Sequence, residues 1–218
     1  MLEWIAMLTM LVDHVGAVFY PGVLWPRMIG RIAMPLYTYG IVRGYAVTRS
    51  RRRYALRLFV IALAAQVPFW VLWFPAVNIV FGFLAGVGVF AGLDGAPRWV
   101  ERLAGRPVPV LARILQATLL LAAFFLFWIV PVDYGTYLLA LLLLYRYGKR
   151  RWVLVAGHTA LTALYYPPLD IHWLSVIGTI LLILPVRYPP IQRGRWFYRA
   201  FYPLHLAALT AVALALDA

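Results

Sequence analysis

The chain has 218 residues, of which 65% are apolar and only 12% charged, with nine tryptophans and a mean hydropathy of +0.84. That balance excludes an ordinary soluble domain. The formal net charge of +13 is spread as short arginine clusters between long apolar runs, which excludes a nucleic-acid binder with its basic residues on one soluble face. The absence of cysteine excludes thiolate zinc sites, disulfide frameworks and cysteine nucleophiles.

The first apolar run covers Leu2 to Tyr20 and stops at Pro21-Gly22. It lacks the basic n-region and small-residue cleavage site of a secretory signal, so it is expected to remain as a membrane helix. A second span covers Met28 to Val47, followed by the densest charge cluster, Arg49, Arg51, Arg52, Arg53 and Arg57, which the positive-inside rule assigns to the cytoplasm. The third span, Tyr54 to Phe74, turns at Pro75 into a fourth, Val77 to Leu93, through a connection without Lys or Arg that should face outward. The stretch from Asp94 to Pro109 carries Arg98, Glu101, Arg102 and Arg106 and reads as an inner connection with room for a short amphipathic surface helix. A fifth span runs from Val110 to Val130. A sixth, Thr136 to Tyr147, reaches only ~20 Å of the ~30 Å hydrocarbon core and is expected to be buried among other helices or re-entrant. The seventh, eighth and ninth spans cover Trp152 to Tyr166, Leu169 to Pro185 and Trp196 to Leu216.

This pattern predicts an all-α fold, a single polytopic membrane helix bundle over residues 1–218 with about nine transmembrane helices and the N-terminus in the cytoplasm. Every basic residue except Arg27, Arg31 and Arg43 then lies in or beside four inner loops. No internal repeat or composition shift marks a second domain.

Asp13 and His14 stand side by side in the first apolar helix, where ionisable groups are costly and usually serve a function. In the predicted topology Arg31 lies at similar depth on the second span, so Asp13 is expected to pair with it. Adjacent helical residues point about 100° apart, which leaves His14 free to face a cavity as a general base. The plainer alternative is that Asp13 merely neutralises an arginine and His14 makes a polar helix contact. His158, His172 and His205 are weaker candidates. No H-E-x-x-H motif or i, i+4 histidine pair is present, so no metal is expected.

Six ordered segments carry a family resemblance: Leu11-Val12-Asp13-His14-Val15-Gly16, Ile29-Gly30-Arg31-Ile32-Ala33-Met34-Pro35-Leu36, Gln66-Val67-Pro68-Phe69, Asn78-Ile79-Val80-Phe81, Asp133-Tyr134-Gly135 and Phe201-Tyr202-Pro203-Leu204-His205-Leu206. Together they resemble the TraX family of membrane acetylases that modify conjugative pilin. The chain departs from the family pattern at His172-Trp173-Leu174, where a glutamine is expected, and at Tyr188-Pro189-Pro190, where an Asn-Gly turn is expected. The resemblance implies transfer of an acetyl group from acetyl-CoA to the N-terminal amine of a membrane-inserted pilin, or a similar membrane-associated acceptor, in a bacterial inner membrane.

On that reading the catalytic residues are Asp13, His14 and Arg31. Arg43, Arg53 and Arg57 supply cations for the phosphates of CoA, with Arg49, Arg195 and Arg199 as further candidates, although inner-face arginines satisfy the positive-inside rule without any ligand. Gln66 and Asn78 line the passage for the pantetheine arm. His205 also belongs to the donor site, while Asp133 and Tyr134 meet the acceptor; all three read equally well as contacts between helices. A different class of function, a proton-coupled transporter or channel using Asp13, His14 and Arg31 as a relay, fits the same buried charges.

Overall fold

The structure is a computed structural model that describes residues 2–184 and 195–216. The expected inner connection with Arg187, Tyr188-Pro189-Pro190 and Arg193 lies outside the described residues, as does the Arg195 side chain. The helices are α1 (Leu2–Phe19), α2 (Leu24–Gly30), α3 (Ala33–Val47), α4 (Arg51–Trp73), α5 (Ile79–Ala104), α6 (Pro109–Ile129), α7 (Gly135–Tyr147), α8 (Arg151–Tyr165), α9 (Ser175–Ile183) and α10 (Arg195–Leu216), with a 3-10 turn at Ile171–Leu174 before α9.

Five of the described helices, α1, α4, α5, α6 and the Phe197–Leu216 part of α10, are long and apolar enough to cross a membrane. The protein is thus a polytopic helical membrane bundle. The described residues do not confirm the expected count of about nine spans, because α3 and α8 have 15 residues, α7 has 13 and α9 has 9. A short helix needs no lipid-spanning length where protein covers it. The case in point is α7, whose Leu138, Leu139, Leu141 and Leu142 are completely buried in the centre of the bundle.

Two boundaries differ from the sequence expectation for physical reasons. The second span is divided into α2 and α3 at Arg31-Ile32. Pro35 sits in the first turn of α3, where its missing N–H costs nothing, whereas in a continuous helix it would leave the Arg31 carbonyl without its partner. The fourth span does not end at Leu93. It continues as α5 through Asp94 and Pro97 to Ala104 and stops at Gly105, whose φ of +68° ends the helix in the left-handed region. The anticipated separate surface helix is therefore the end of α5. Asp94 is held there by three partners: Arg51 at 3.0 Å, the Tyr45 hydroxyl at 3.0 Å, and Arg146.

The elements that frame the site are fixed by close approaches. A Cβ on Gly16 would lie 2.3 Å from the Cβ of Pro26, and one on Gly30 would lie 2.1 Å from the Cβ of Asp13, so α1 and α2 pack with no space for larger residues. Between α4 and α5, Gln66 and Asn78 close the turn. The Gln66 side chain accepts from the Asn78 backbone N–H (3.1 Å) and side-chain amide (2.7 Å), and it donates to the Ala76 carbonyl (3.1 Å). Asn78 also donates to the Ala62 carbonyl and accepts from Val80 N–H as the cap of α5. A short bridge between Val77 and Val132, with Asp133 N–H donating to the Val77 carbonyl (3.0 Å), ties that turn to the connection carrying Asp133 and Tyr134.

Candidate functional site

A cavity of about 750 Å³ runs through the bundle. One face of α3 forms its long wall: Ala33, Met34, Tyr37, Gly40, Ile41, Gly44 and Val47 recur at helical spacing. At 1.5 Å per residue that stripe extends about 21 Å. Asp13, His14, Arg27, Arg31, Asp133 and Tyr134 line one end, and Arg43, Arg57, Arg199 and Glu3 line the other. The second end carries three guanidiniums against one carboxylate, so it holds an excess of positive charge suited to an anionic group.

At the first end, Asp13 and Arg31 are both buried. Arg31 Nη2 donates to both Asp13 carboxylate oxygens, at 2.9 and 3.0 Å, and Arg27 Nη1 donates to Oδ2 at 3.0 Å. The expected Asp13–Arg31 pair is present, and Arg27 is a second partner that the sequence had placed in a connecting segment. Arg31 Nη1 donates to His172 Nε2 at 3.1 Å, while His172 Nδ1 lies 2.5 Å from Asp170 Oδ1. His172 is stacked on Tyr166 with ring centroids 3.9 Å apart. The His172 backbone N–H holds the Asp170 carboxyl below the usual carboxylate range, against the opposing effect of partial burial. Asp170, His172, Arg31 and Asp13 thus form one chain of alternating acceptors and donors. The guanidinium of Arg31 also lies 5.5 Å from the centroid of the Tyr134 ring.

Tyr134 adopts φ +64°, a left-handed conformation uncommon for a residue with a bulky side chain, directly before Gly135 at φ +48°. This turn presents both Tyr134 and Asp133 to the cavity. Burial raises the Asp133 carboxyl to about 6, with Arg31 opposing that shift.

His14 lies on the cavity wall, beside Trp73 at a centroid distance of 5.3 Å. Its Nδ1 is 2.7 Å from His205 Nε2, and His205 Nδ1 is 2.8 Å from the Phe201 carbonyl oxygen.

The positions of the remaining expected site residues correct the sequence reading in three places. Gln66 and Asn78 are not on the cavity wall, because their polar groups are used in closing the α4–α5 turn. Arg53 is exposed on the first turn of α4, where its backbone N–H is capped by Ser50, and does not line the cavity; one turn further along, Arg57 does. His205 is also off the lining and lies behind His14. His158, isolated in sequence, is completely buried between α7, α8 and α9, with the hydroxyls of Tyr137 at 2.7 Å, Ser175 at 3.1 Å and Thr179 at 2.5 Å around its ring. That network is internal to the bundle and apart from the cavity.

The six segments that resemble a family fall on this architecture at the α1–α2 contact, the α3 start, the Gln66–Asn78 closure, the Asp133 turn and the His205 face of α10. The family model described as TraX protein matches residues 1–213. The chain belongs to the TraX family. A curated relative, the probable fimbrial assembly protein FimC, serogroup H1, of Dichelobacter nodosus, is 26% identical over 99% of this chain and 96% of its own length. No solved structure matches. In this TraX-family chain the sequence did not mark Arg27 as a site residue, and it offered His172 only as a weaker candidate without a partner. Both are short-range neighbours of connecting turns, and only the folding of those turns onto Asp13 and Arg31 gives them a role.

Proposed function

We propose that the protein is an acetyl-CoA-dependent acetyltransferase that acylates an amine at the Asp13 end of the cavity. The observation that carries this reading is the cavity itself: one continuous space joins a cation-rich end at Arg43, Arg57 and Arg199 to a histidine next to an ion-paired carboxylate. The polar ends and largely apolar middle suit a long substrate with an anionic head and a small reactive tail. The three guanidiniums fit the phosphates, and the open stretch of α3 at Gly40 accepts a linear arm.

A bound acetyl-CoA supplies an acyl group on a thioester. The acceptor nitrogen forms the new C–N bond as the C–S bond breaks, and one N–H proton passes to His14 Nε2 and then to the leaving sulfur. General-base help of this kind is typically worth ~10²- to 10⁴-fold in rate. Asp13, held by Arg27 and Arg31, fixes the α1–α2 framework that carries His14. Positive-inside orientation puts the arginine end toward the cytoplasm, where acetyl-CoA is made, and the Asp13 end toward the outer side of a bacterial inner membrane. The fimbrial assembly named for the Dichelobacter nodosus relative supports a pilin, or a similar membrane-associated chain with a free N-terminal amine, as the acceptor.

The test is binding followed by transfer. The purified protein in detergent should gain thermal stability with millimolar acetyl-CoA, since a ligand at 100 times its Kd stabilises by about 2.7 kcal/mol. The paired substitutions Arg43→Gln and Arg57→Gln should remove most of that gain. Acetylation of a peptide bearing a free N-terminal amine, read by mass spectrometry, should depend on His14. No stabilisation by acetyl-CoA, together with no transfer, overturns the reading and favours a relay or transport role.

A further inference from the structure

We propose that His205 is the positioning residue of this site: it holds His14 in the Nδ1–H tautomer, so that the Nε2 lone pair is the atom presented to the cavity. The two imidazoles belong to a hydrogen-bonded chain that ends at the Phe201 carbonyl. The Phe201 carbonyl can only accept, and it lies 2.8 Å from His205 Nδ1, so that nitrogen carries the proton. A neutral His205 then has its lone pair on Nε2. That atom is 2.7 Å from His14 Nδ1. Two lone pairs cannot share this distance, so His14 Nδ1 is the donor. The remaining nitrogen of a neutral His14, Nε2, is therefore unprotonated. Among the described residues it has no protein hydrogen-bond partner, and His14 borders the cavity while His205 does not.

Packing keeps both rings in the orientation this requires. The two imidazoles are parallel within 5°, with centroids 5.0 Å apart. Phe201 stacks on His205 at 5.0 Å and 15°, and Tyr202 meets both rings edge-on. A histidine bonded only to water exchanges tautomers freely, and part of its population would present an N–H to the acceptor instead of a lone pair. The second imidazole removes that competing state. It also leaves an acceptor beside His14 Nδ1 when His14 becomes an imidazolium, so the charge formed during proton uptake is shared. The catalytic consequence rests on the acyl-transfer reading, but the tautomer does not.

The test uses the full-length protein in lipid bilayers with ¹⁵N-labelled histidine. Magic-angle NMR above neutral pH should find, for the signals lost in His14→Gln, a protonated Nδ1 and an unprotonated Nε2. In His205→Phe, which keeps an aromatic ring but has no acceptor, those signals should move toward the Nε2–H form. His205→Gln places a carbonyl oxygen near the former Nε2 position and should restore the wild-type pattern. Transfer should follow the tautomer: about 10²-fold lower kcat in His205→Phe with KM for acetyl-CoA nearly unchanged, and partial recovery in His205→Gln. The pH profile should change between these variants although Asp13, Arg27, Arg31, Asp133, Tyr134 and Tyr202, the other ionisable groups around the dyad, are the same. An Nε2–H form of His14 in the wild type overturns the proposal, as does an unchanged pattern in His205→Phe. A correct tautomer in a protein that neither binds acetyl-CoA nor transfers acetyl leaves the positioning intact and sinks the acyl-transfer reading alone.

Discussion

A carboxylate shared by two guanidiniums in an apolar layer is stable only while the set is complete. Removing one member of a buried ion pair typically costs ~3–5 kcal/mol, because the remaining charge stays buried without compensation. Here the two losses are unequal. Asp13→Asn strands both Arg27 and Arg31, whereas Arg31→Gln leaves Asp13 with Arg27 and leaves His172 without its donor. Asp13→Asn should therefore be the more destabilising single change. The double variant should recover a coupling energy of roughly 0.5–3 kcal/mol in thermal or denaturant unfolding. Strict additivity would show that the contact contributes nothing. The pair itself was legible in the sequence, because an ionisable group inside an apolar run needs a partner and Arg31 was at a matching depth. Arg27 was not legible and His172 only as a weaker candidate without a partner, because each lies at the edge of an apolar run, where a charged or polar residue is unremarkable. Gln66 and Asn78 misled in the opposite direction, since buried amides at membrane depth suggest a passage but here satisfy the backbone of a tight turn.

At the scale of helices, the cavity depends on what α3 lacks. A Cβ built on Gly40 meets nothing nearer than the Tyr198 hydroxyl at 4.0 Å, so a side chain there would project into open space. Tyr37 and Tyr198, stacked at 5.8 Å, bound the same stretch. Gly40→Leu should therefore fold normally yet block the route between the arginine end and His14. Acetyl transfer and the thermal shift with acetyl-CoA should both fall at least about tenfold, while unfolding in the absence of ligand changes little, as expected where no native contact is lost. Full activity in Gly40→Leu would mean that the donor does not pass α3. Gly44 differs, because a Cβ there would lie 2.6 Å from the Tyr54 hydroxyl, which donates to the Ile41 carbonyl; a substitution would disturb packing as well as the lumen. Helix existence and most boundaries were readable from the apolar runs and prolines. The break at Arg31-Ile32 follows from Pro35 but was passed over within a continuous apolar run, and the extension of α5 past Leu93 is decided by tertiary partners of Asp94: Arg51, Tyr45 and Arg146.

Across the whole molecule, contacts divide the connections into two poles. The Val77–Val132 bridge puts the α4–α5 and α6–α7 turns together, and the Arg31–His172 bond joins the α2–α3 break to the turn before α9. The connections at 20–23, 74–78, 130–134 and 166–170 all contain proline and carry no Lys or Arg. Arg27 and Arg31, close to this pole, are both bonded to Asp13. The opposite pole is marked by Asp94 with Arg51 and Arg146, and its connections carry Arg49, Arg106, Lys149 and Arg150. Loop asymmetry in Lys and Arg sets orientation, so the second pole should face the cytoplasm. The cysteine-free chain makes this directly measurable. Single cysteines at Gly22 and Pro168, exposed at the first pole, should react with a membrane-impermeant maleimide in intact cells, whereas cysteines at the exposed positions Arg106 and Lys149 should react only after permeabilisation. The inverse pattern would place the arginine end of the cavity outside, away from cytoplasmic acetyl-CoA, and would remove the reason for reading Arg43, Arg57 and Arg199 as its phosphate site. Orientation therefore constrains the proposed chemistry: on the acyl-transfer reading the same cavity would be a donor passage in one direction and would have no donor to admit in the other.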